Sequence, residues 1–290
     1  MRSMKKITLM PNPYRDRNFQ ITKNAEQILR QHGAEVRVCL PFHVDRGHEL
    51  PQSLRFVPMD EALKDCDLMI CFGGDGTILH AARLVGNRDI PMLGVNTGTM
   101  GFMAELESNE LHLLPKVLEE ELQMEERMMI HVAVKRAGRA IFEDNALNDA
   151  VVTKGAVARV IGLNVACDDV EAMHFDGDGV IISTPTGTTA YSMSAGGPIV
   201  EPTAKNIIVT PICAHAMGIR SLVLARDRVV TAQVGRIGKR SAFLSVDGGK
   251  AFRLNAEDKV VVTASRRSIR LVKVKNLSYY GIINQKFQGK

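Results

Sequence analysis

No apolar run approaches the roughly 18 residues that a membrane-spanning helix needs anywhere in this 290-residue chain. The amino terminus, MRSMKKITLMPNP, offers only Ile7 to Met10 before Pro11, too short for the apolar region of a secretory signal. Cysteine is scarce: there are 5, an odd number, with no CxxC pair. That opposes both a disulfide framework and a thiolate zinc site. These absences lead us to expect a non-secreted cytoplasmic chain with reduced thiols and no membrane association. Aromatic residues make up only 5%, and the two densest basic clusters, residues 235–240 and 266–270, carry none between them. The net charge of +5 therefore reads less as a nucleic-acid surface than as a diffuse field suited to an anionic small substrate. Two common nucleotide signatures are also missing. No GxxxxGK[ST] occurs, and no GxGxxG follows the first predicted strand.

What the chain does contain is ordinary globular material, 45% apolar and 24% charged, with length for one large domain or two smaller ones. The first third alternates. Ile7 to Met10 reads as a strand, residues 21–32 as a helix stopped by Gly33, and EVRVCL as a strand. MDEALKDC follows as a short helix with Asp60 as its expected N-cap. DLMICF and IPMLGV are continuous apolar runs of the kind covered on both faces, with a helix over residues 77–85 between them. Such alternation predicts a Rossmann-like parallel α/β domain. From about Met124 the texture changes to short β-branched runs broken by Gly and Asp, which predicts an antiparallel, β-sandwich-like domain. We place the division at 1–122 and 123–275, with a helical tail, 276–290, returning to the first domain.

Three stretches carry chemistry. In CFGGDGTILH, glycines stand where a strand ends and a helix begins. There the backbone can approach an oxyanion and helix N–H groups can meet phosphate. Asp75 is then either a plain helix cap or the base that takes a proton from an attacking hydroxyl. His80 is either a solvated helix residue or a positive charge near phosphates. In NALND, Asn148 and Asp149 precede a strand, as an Asx-type turn would, or as donor and acceptor for ribose hydroxyls. The stretch TPTGTTAYSMSAGG, between Asp178 and Glu201, is rich in hydroxyls and glycine and lacks charge. Uncommitted loops of that length are rare, so we read it as a binding segment. The Asp247–Gly–Gly turn reads as a hairpin.

In order and content these motifs, GGDGT, PMLGVNTGTMGFMAEL, NALND, DGVIISTPTGTTAYSMSAGGPIVEP, TPICAHAMGIRSLVL and SVDG, resemble the NAD kinases over nearly the whole chain. GGDGT alone is shared with other kinase families; the TPTGTTAYS segment is far more specific. The resemblance implies phosphorylation of the adenosine-ribose 2′-hydroxyl of NAD to give NADP. It makes Asp75 the residue that orients and deprotonates the hydroxyl, and Gly73, Gly74, Gly76 and Thr77, with His80, the phosphate-binding set. Phe102, Asn148, Asp149, Asp178, Thr186, Thr189, Ala190, Tyr191 and Ser194 would contact NAD. It further implies ATP or polyphosphate as donor, Mg²⁺ or another divalent cation arriving with the nucleotide rather than at a protein-bound metal site, and a homodimer or homotetramer. Asp149 stands where many members have Glu. Asp176 stands where many have a basic residue, which leaves NAD and NADH both open. A lipid or sugar kinase sharing the phosphate loop, or a non-catalytic NAD(P)-binding regulator, remains an alternative.

Overall fold

The computed structural model describes residues 5–42, 44, 49–86, 88–98, 101–119, 122–155, 159–235, 241–275 and 278–288. Most of the basic cluster at 235–240, residues 99–100 of the TGTMG motif, and residues 276–277 and 289–290 of the expected tail lie outside them. The chain divides into two compact units, Met1–Glu126 with Ile269–Lys290, and Arg127–Ser268. No helix among the described residues is long and apolar enough to cross a membrane.

In the first unit β1 (Lys6–Pro11), β2 (Glu35–Val38), β3 (Leu68–Gly73), β4 (Met92–Asn96) and the short β5 (Leu106–Glu107) are parallel. The spatial order is β2-β1-β3-β4. Residues 269–273 continue beyond β4, where Leu271 pairs with Met92. Three helices connect the strands: α1 (Gln20–Gln31), α2 (Met59–Ala62) and α3 (Asp75–Val85). Every residue of β3 and β4 is buried, which is why DLMICF and IPMLGV read as unbroken apolar runs. Ala25 and Leu29 of α1 and Leu114 and Val117 of a 3₁₀ segment pack in the same core as Leu9, Ile70 and Leu93. A C-terminal helix, Tyr279–Phe287, is capped by Ser278, whose Oγ accepts the Gly281 N–H at 3.2 Å.

One expected cap is corrected. Pro58, not Asp60, occupies the N-cap of α2, and Asp60 lies in its first turn; Pro58 supplies the extended backbone that entry to the helix needs. At α1 the N-cap residue is Phe19, which makes no capping bond. Buried Asp16 does that work from outside: its carboxylate accepts the N–H of Ile21 (3.0 Å) and Thr22 (2.9 Å) and the Thr22 hydroxyl (2.6 Å).

The second unit is built from β6 (Gln123–Arg136), β7 (Arg139–Ala146), β8 (Asp149–Lys154), β9 (Ile161–Cys167), β10 (Val170–Gly177) and β11 (Gly179–Ser183). After the short helix α4 (Tyr191–Ser194) come β12 (Asn206–Ile212), β13 (Leu222–Ala225), β14 (Val230–Val234), β15 (Ala242–Val246), β16 (Phe252–Leu254) and β17 (Lys259–Lys273). One antiparallel sheet runs β13-β12-β11-β8-β15-β16; on the other side β10-β9-β14-β17 are neighbours, with β6 beside β17 and β7 beside β6. Alternating inward residues of both sheets, among them Val152, Ile182, Val209 and Leu244 facing Leu163, Val230, Val260 and Val132, form one core, as in a sandwich.

Replacing Asp16 with Ala strands buried donors at the start of α1, at about 1–3 kcal/mol for such a group. Urea unfolding should show a loss of that size; an unchanged midpoint would remove Asp16 from the capping role.

Candidate active site

The glycine loop sits where β3 gives way to α3. Gly73 closes the strand, Gly74 is the extended N-cap, and the helix starts at Asp75, so the first-turn amides have no partner within the helix. Gly73 admits no side chain, since a Cβ there would lie 2.1 Å from Thr77 Oγ1. That hydroxyl accepts the Asn12 side-chain N–H at 3.1 Å, and the Asn12 backbone N–H donates to Phe72 O at 2.8 Å. The carboxyl ends of β1 and β3 are thereby tied together, and between these two strands the sheet order reverses. Open α/β sheets bind ligands at that place.

Asp75 is half-buried, and its carboxylate reaches across the loop: Oδ2 accepts Phe102 N–H (2.8 Å) and Oδ1 accepts Met103 N–H (3.1 Å). A Cβ on Gly101 would come within 2.8 Å of Oδ1. The Phe102 ring lies 6.3 Å from that of Phe287. His80 points elsewhere: its Nε2 is 2.6 Å from Pro41 O, and its ring meets Phe42 edge-on. A carbonyl only accepts, so Nε2 carries the proton.

In the second unit Asn148 and Asp149 form a turn entering β8, and both are buried. The Asp247 carboxylate accepts three consecutive amides, Leu147 (2.8 Å), Asn148 (2.8 Å) and Asp149 (3.0 Å). From the other side, Thr184 donates its N–H to Asn148 O (2.8 Å) and its hydroxyl to Leu147 O (2.5 Å). Gly187 packs so closely that a Cβ would fall 2.2 Å from Asn148 O. The side chains are satisfied less completely. Asn148 Oδ1 and Ser183 Oγ are buried with no hydrogen-bond partner among the described residues, and Ser183 is the cross-strand neighbour of Asp149. Buried polar atoms are nearly always bonded, so each such exception calls for a partner, a water or a ligand. Burial, with the charge of Asp247 beside it, pushes the Asp149 carboxyl up to about 7.

The remaining expected residues lie on the segment that follows β11. Thr186 is buried and its hydroxyl accepts from Arg127 at 3.4 Å; Thr189 Oγ1 donates to Thr186 O at 3.2 Å. Ala190 is the N-cap of α4, and Tyr191 and Ser194 are exposed on it. Asp178, between β10 and β11, pairs with Lys154 at 2.5 Å. The structure thus groups Asn148, Asp149 and the Thr186 turn, while Asp178 is engaged with a lysine. Sequence reasoning missed Asn12, Ser183, Thr184 and the second role of Asp247. Asn12 could have been found as the residue following β1 at the same sheet end as GGDGT. Among the described residues no group of three or more His, Cys, Asp or Glu side chains is placed to hold a metal ion.

A glycine turn with a carboxylate at the switch point of a parallel sheet is the layout of a nucleotide-binding α/β protein. The particular family follows from comparison: the ATP-NAD kinase N-terminal domain matches residues 7–122 and the C-terminal domain residues 147–274. Similar proteins include the NAD kinase of Acetivibrio thermocellus, 34% identical with 98% of this chain and 97% of that protein covered. The NAD kinase of Natranaerobius thermophilus is 36% identical, with 99% of each covered. The crystal structure of yeast NADH kinase complexed with NADH superposes with a TM-score of 0.86 at 25% identity, covering 99% of this chain and 89% of that one. An NAD kinase from Archaeoglobus fulgidus in complex with ATP shares the fold, with a TM-score of 0.73 at 23% identity, covering 98% and 99%. The chain belongs to the ATP-NAD kinase family.

Asp149 gives a stability prediction. Its carboxyl is raised, so the folded chain holds this proton more tightly than the unfolded one. The stability it contributes is complete below about pH 4, the ordinary carboxylate range, and lost as the pH rises through about 7. Asp149→Asn should therefore gain stability relative to the parent at pH 8 but not at pH 4, measured by urea midpoints; parallel pH curves for the two proteins would refute the assignment.

Proposed function

We propose that this chain transfers the terminal phosphoryl group of ATP to the 2′-hydroxyl of the adenosine ribose of NAD, forming NADP. Membership of the ATP-NAD kinase family makes it a kinase acting on NAD. The observation that carries the chemical reading is the Asp75 carboxylate, held by two amides at the N-terminus of α3 beside the glycine turn. Phosphoryl transfer needs positioning and charge neutralisation more than covalent chemistry. In this reading Asp75 accepts the hydroxyl proton as the new P–O bond forms. The amides of Gly74 and Gly76, with Thr77, face the phosphates, and the tight approach of Gly73 keeps the turn closed.

In the second unit Asn148 and Asp149 take ribose hydroxyls. Thr186, Thr189, Ala190 and Ser194 offer small polar contacts, and Tyr191 its ring, to the rest of the dinucleotide. Phe102 of the first unit offers a ring for the adenine. His80, bonded to Pro41, acts at most as a neighbouring positive charge. Mg²⁺ or another divalent cation would neutralise phosphate charge. No cage of carboxylates stands ready for it among the described residues, so phosphate oxygens and water would fill most of its positions. We further propose a homodimer or homotetramer, which sedimentation would measure, and a cytoplasmic location.

The test is NADP formation from purified protein with NAD, ATP and Mg²⁺, with NADH and polyphosphate as alternative substrate arms. Asp75→Asn should keep NAD affinity within a few-fold and lower the rate by about 10²–10⁴, the range for a positioned base. Full activity in that variant would confine Asp75 to holding the 102–103 amides.

A further inference from the structure

Asp–Gly satisfies the positive-φ positions of a tight hairpin turn whatever its carboxylate does. Asp247 (φ 46°) and Gly248 (φ 65°) occupy two such positions after β15, yet the Asp247 side chain reaches away from its own hairpin. We propose that Asp247 is the positioning residue of the Asn148–Asp149 pair: its carboxylate fixes the backbone of residues 147–149 and so aims both side chains at ribose hydroxyls. The inference rests on the nucleotide reading above and deepens it.

Every main-chain group of the turn has a partner. The three N–H groups go to Asp247 at 2.8, 2.8 and 3.0 Å. Of the three carbonyls, that of Leu147 takes the Thr184 hydroxyl, that of Asn148 the Thr184 amide, and that of Asp149 the Asp247 amide at 2.9 Å. Gly187 presses on the Asn148 carbonyl from the side where any other residue would collide. With the backbone saturated, rotation of residues 147–149 breaks several bonds at once, and bonds to a full negative charge are the stronger kind. The side-chain atoms Asn148 Oδ1 and Ser183 Oγ, by contrast, are left unmatched. That division, backbone locked and side chains open, is what a first contact shell held by a second shell requires.

Asp247 also acts on Asp149 through space. The charge acting on Asp149 is that of Asp247 on the hairpin, and Ser183 of β11 is its cross-strand neighbour. Arg127 of β6 donates to Thr186 Oγ1 at 3.4 Å. Removing the Asp247 charge therefore lets Asp149 ionise at lower pH; because burial is the larger cause of the raised value, loosened packing moves it the same way, and a charge-keeping variant separates the two.

Asp247→Asn, whose amide group cannot accept from all three N–H donors, is tested by amide hydrogen exchange at residues 147–149, by equilibrium binding of NAD, and by the pH dependence of that binding. We expect faster exchange confined to the turn, NAD affinity lower by about ten- to a hundredfold, and a binding midpoint moved below the parent's. Asp247→Glu, which keeps the charge on a longer arm, serves if the Asn variant does not fold. It should expose the same amides and weaken NAD, with the midpoint lowered less than in the Asn variant. Unchanged exchange, or faster exchange with unchanged NAD affinity, overturns the inference. A parent protein that does not bind NAD, with exchange still accelerated in the variant, overturns the nucleotide reading and the ligand half of the inference with it.

Discussion

Backbone N–H groups that are buried outside a helix or sheet ladder must find an acceptor, and in this chain carboxylates repeatedly supply it, two or three amides at a time. Asp16 holds residues 21–22, Asp75 holds 102–103, Glu105 holds 274–275, and Asp247 holds 147–149. Each acid binds a segment distant from it along its own unit or begins a helix that has no cap of its own. Glu105, buried, also meets the Lys273 ammonium. The sheets set where strands run; these carboxylates set where the irregular segments between them go.

The device explains why the candidate site residues are where they are. A glycine-rich segment is conformationally permissive and loses much entropy when ordered. Residues 101–103 and 147–149 are ordered by charge-assisted bonds instead of by ladder pairing. A carboxylate used this way is partly withdrawn from water, and that cost is offset only when donors surround it. Asp75 and Asp247 meet the condition through amides. Asp149 does not: its nearest charged neighbour is another acid, and its carboxyl is pushed up to about 7. Side by side, then, stand one acid engaged by three amides and one whose carboxyl holds its proton up to about 7.

Much of the parallel unit was legible in the sequence, because buried parallel strands write themselves as continuous apolar runs. DLMICF and IPMLGV fall inside fully buried β3 and β4. The glycine turn was legible for a similar reason, since few residues other than Gly73 fit beside Thr77. The short α2 cap was misplaced because Pro58 fixes the helix entry before Asp60 can compete. Asp247 escaped for a deeper reason. Its local pattern, Asp–Gly–Gly between strands, is fully accounted for by hairpin geometry, and its partners lie about a hundred residues away. Nothing within a sequence window distinguishes an acid that only makes a turn from one that reaches across a sheet.

The orphaned atoms point the same way. Asn148 has its backbone amide and carbonyl both bonded, yet its side-chain oxygen has no partner. If the turn existed only to start β8, an apolar residue of similar size would serve and would avoid burying an unmet acceptor. The same holds for Ser183, since Val180, Ile181 and Ile182 of its own strand show that β11 tolerates aliphatic side chains. Polar groups buried without partners, on a backbone held from two sides, are stable only as part of a larger hydrogen-bond set. A sugar, whose hydroxyls both donate and accept, completes such a set; a hydrocarbon would not. That asymmetry is the physical support for the proposed ribose site at this turn.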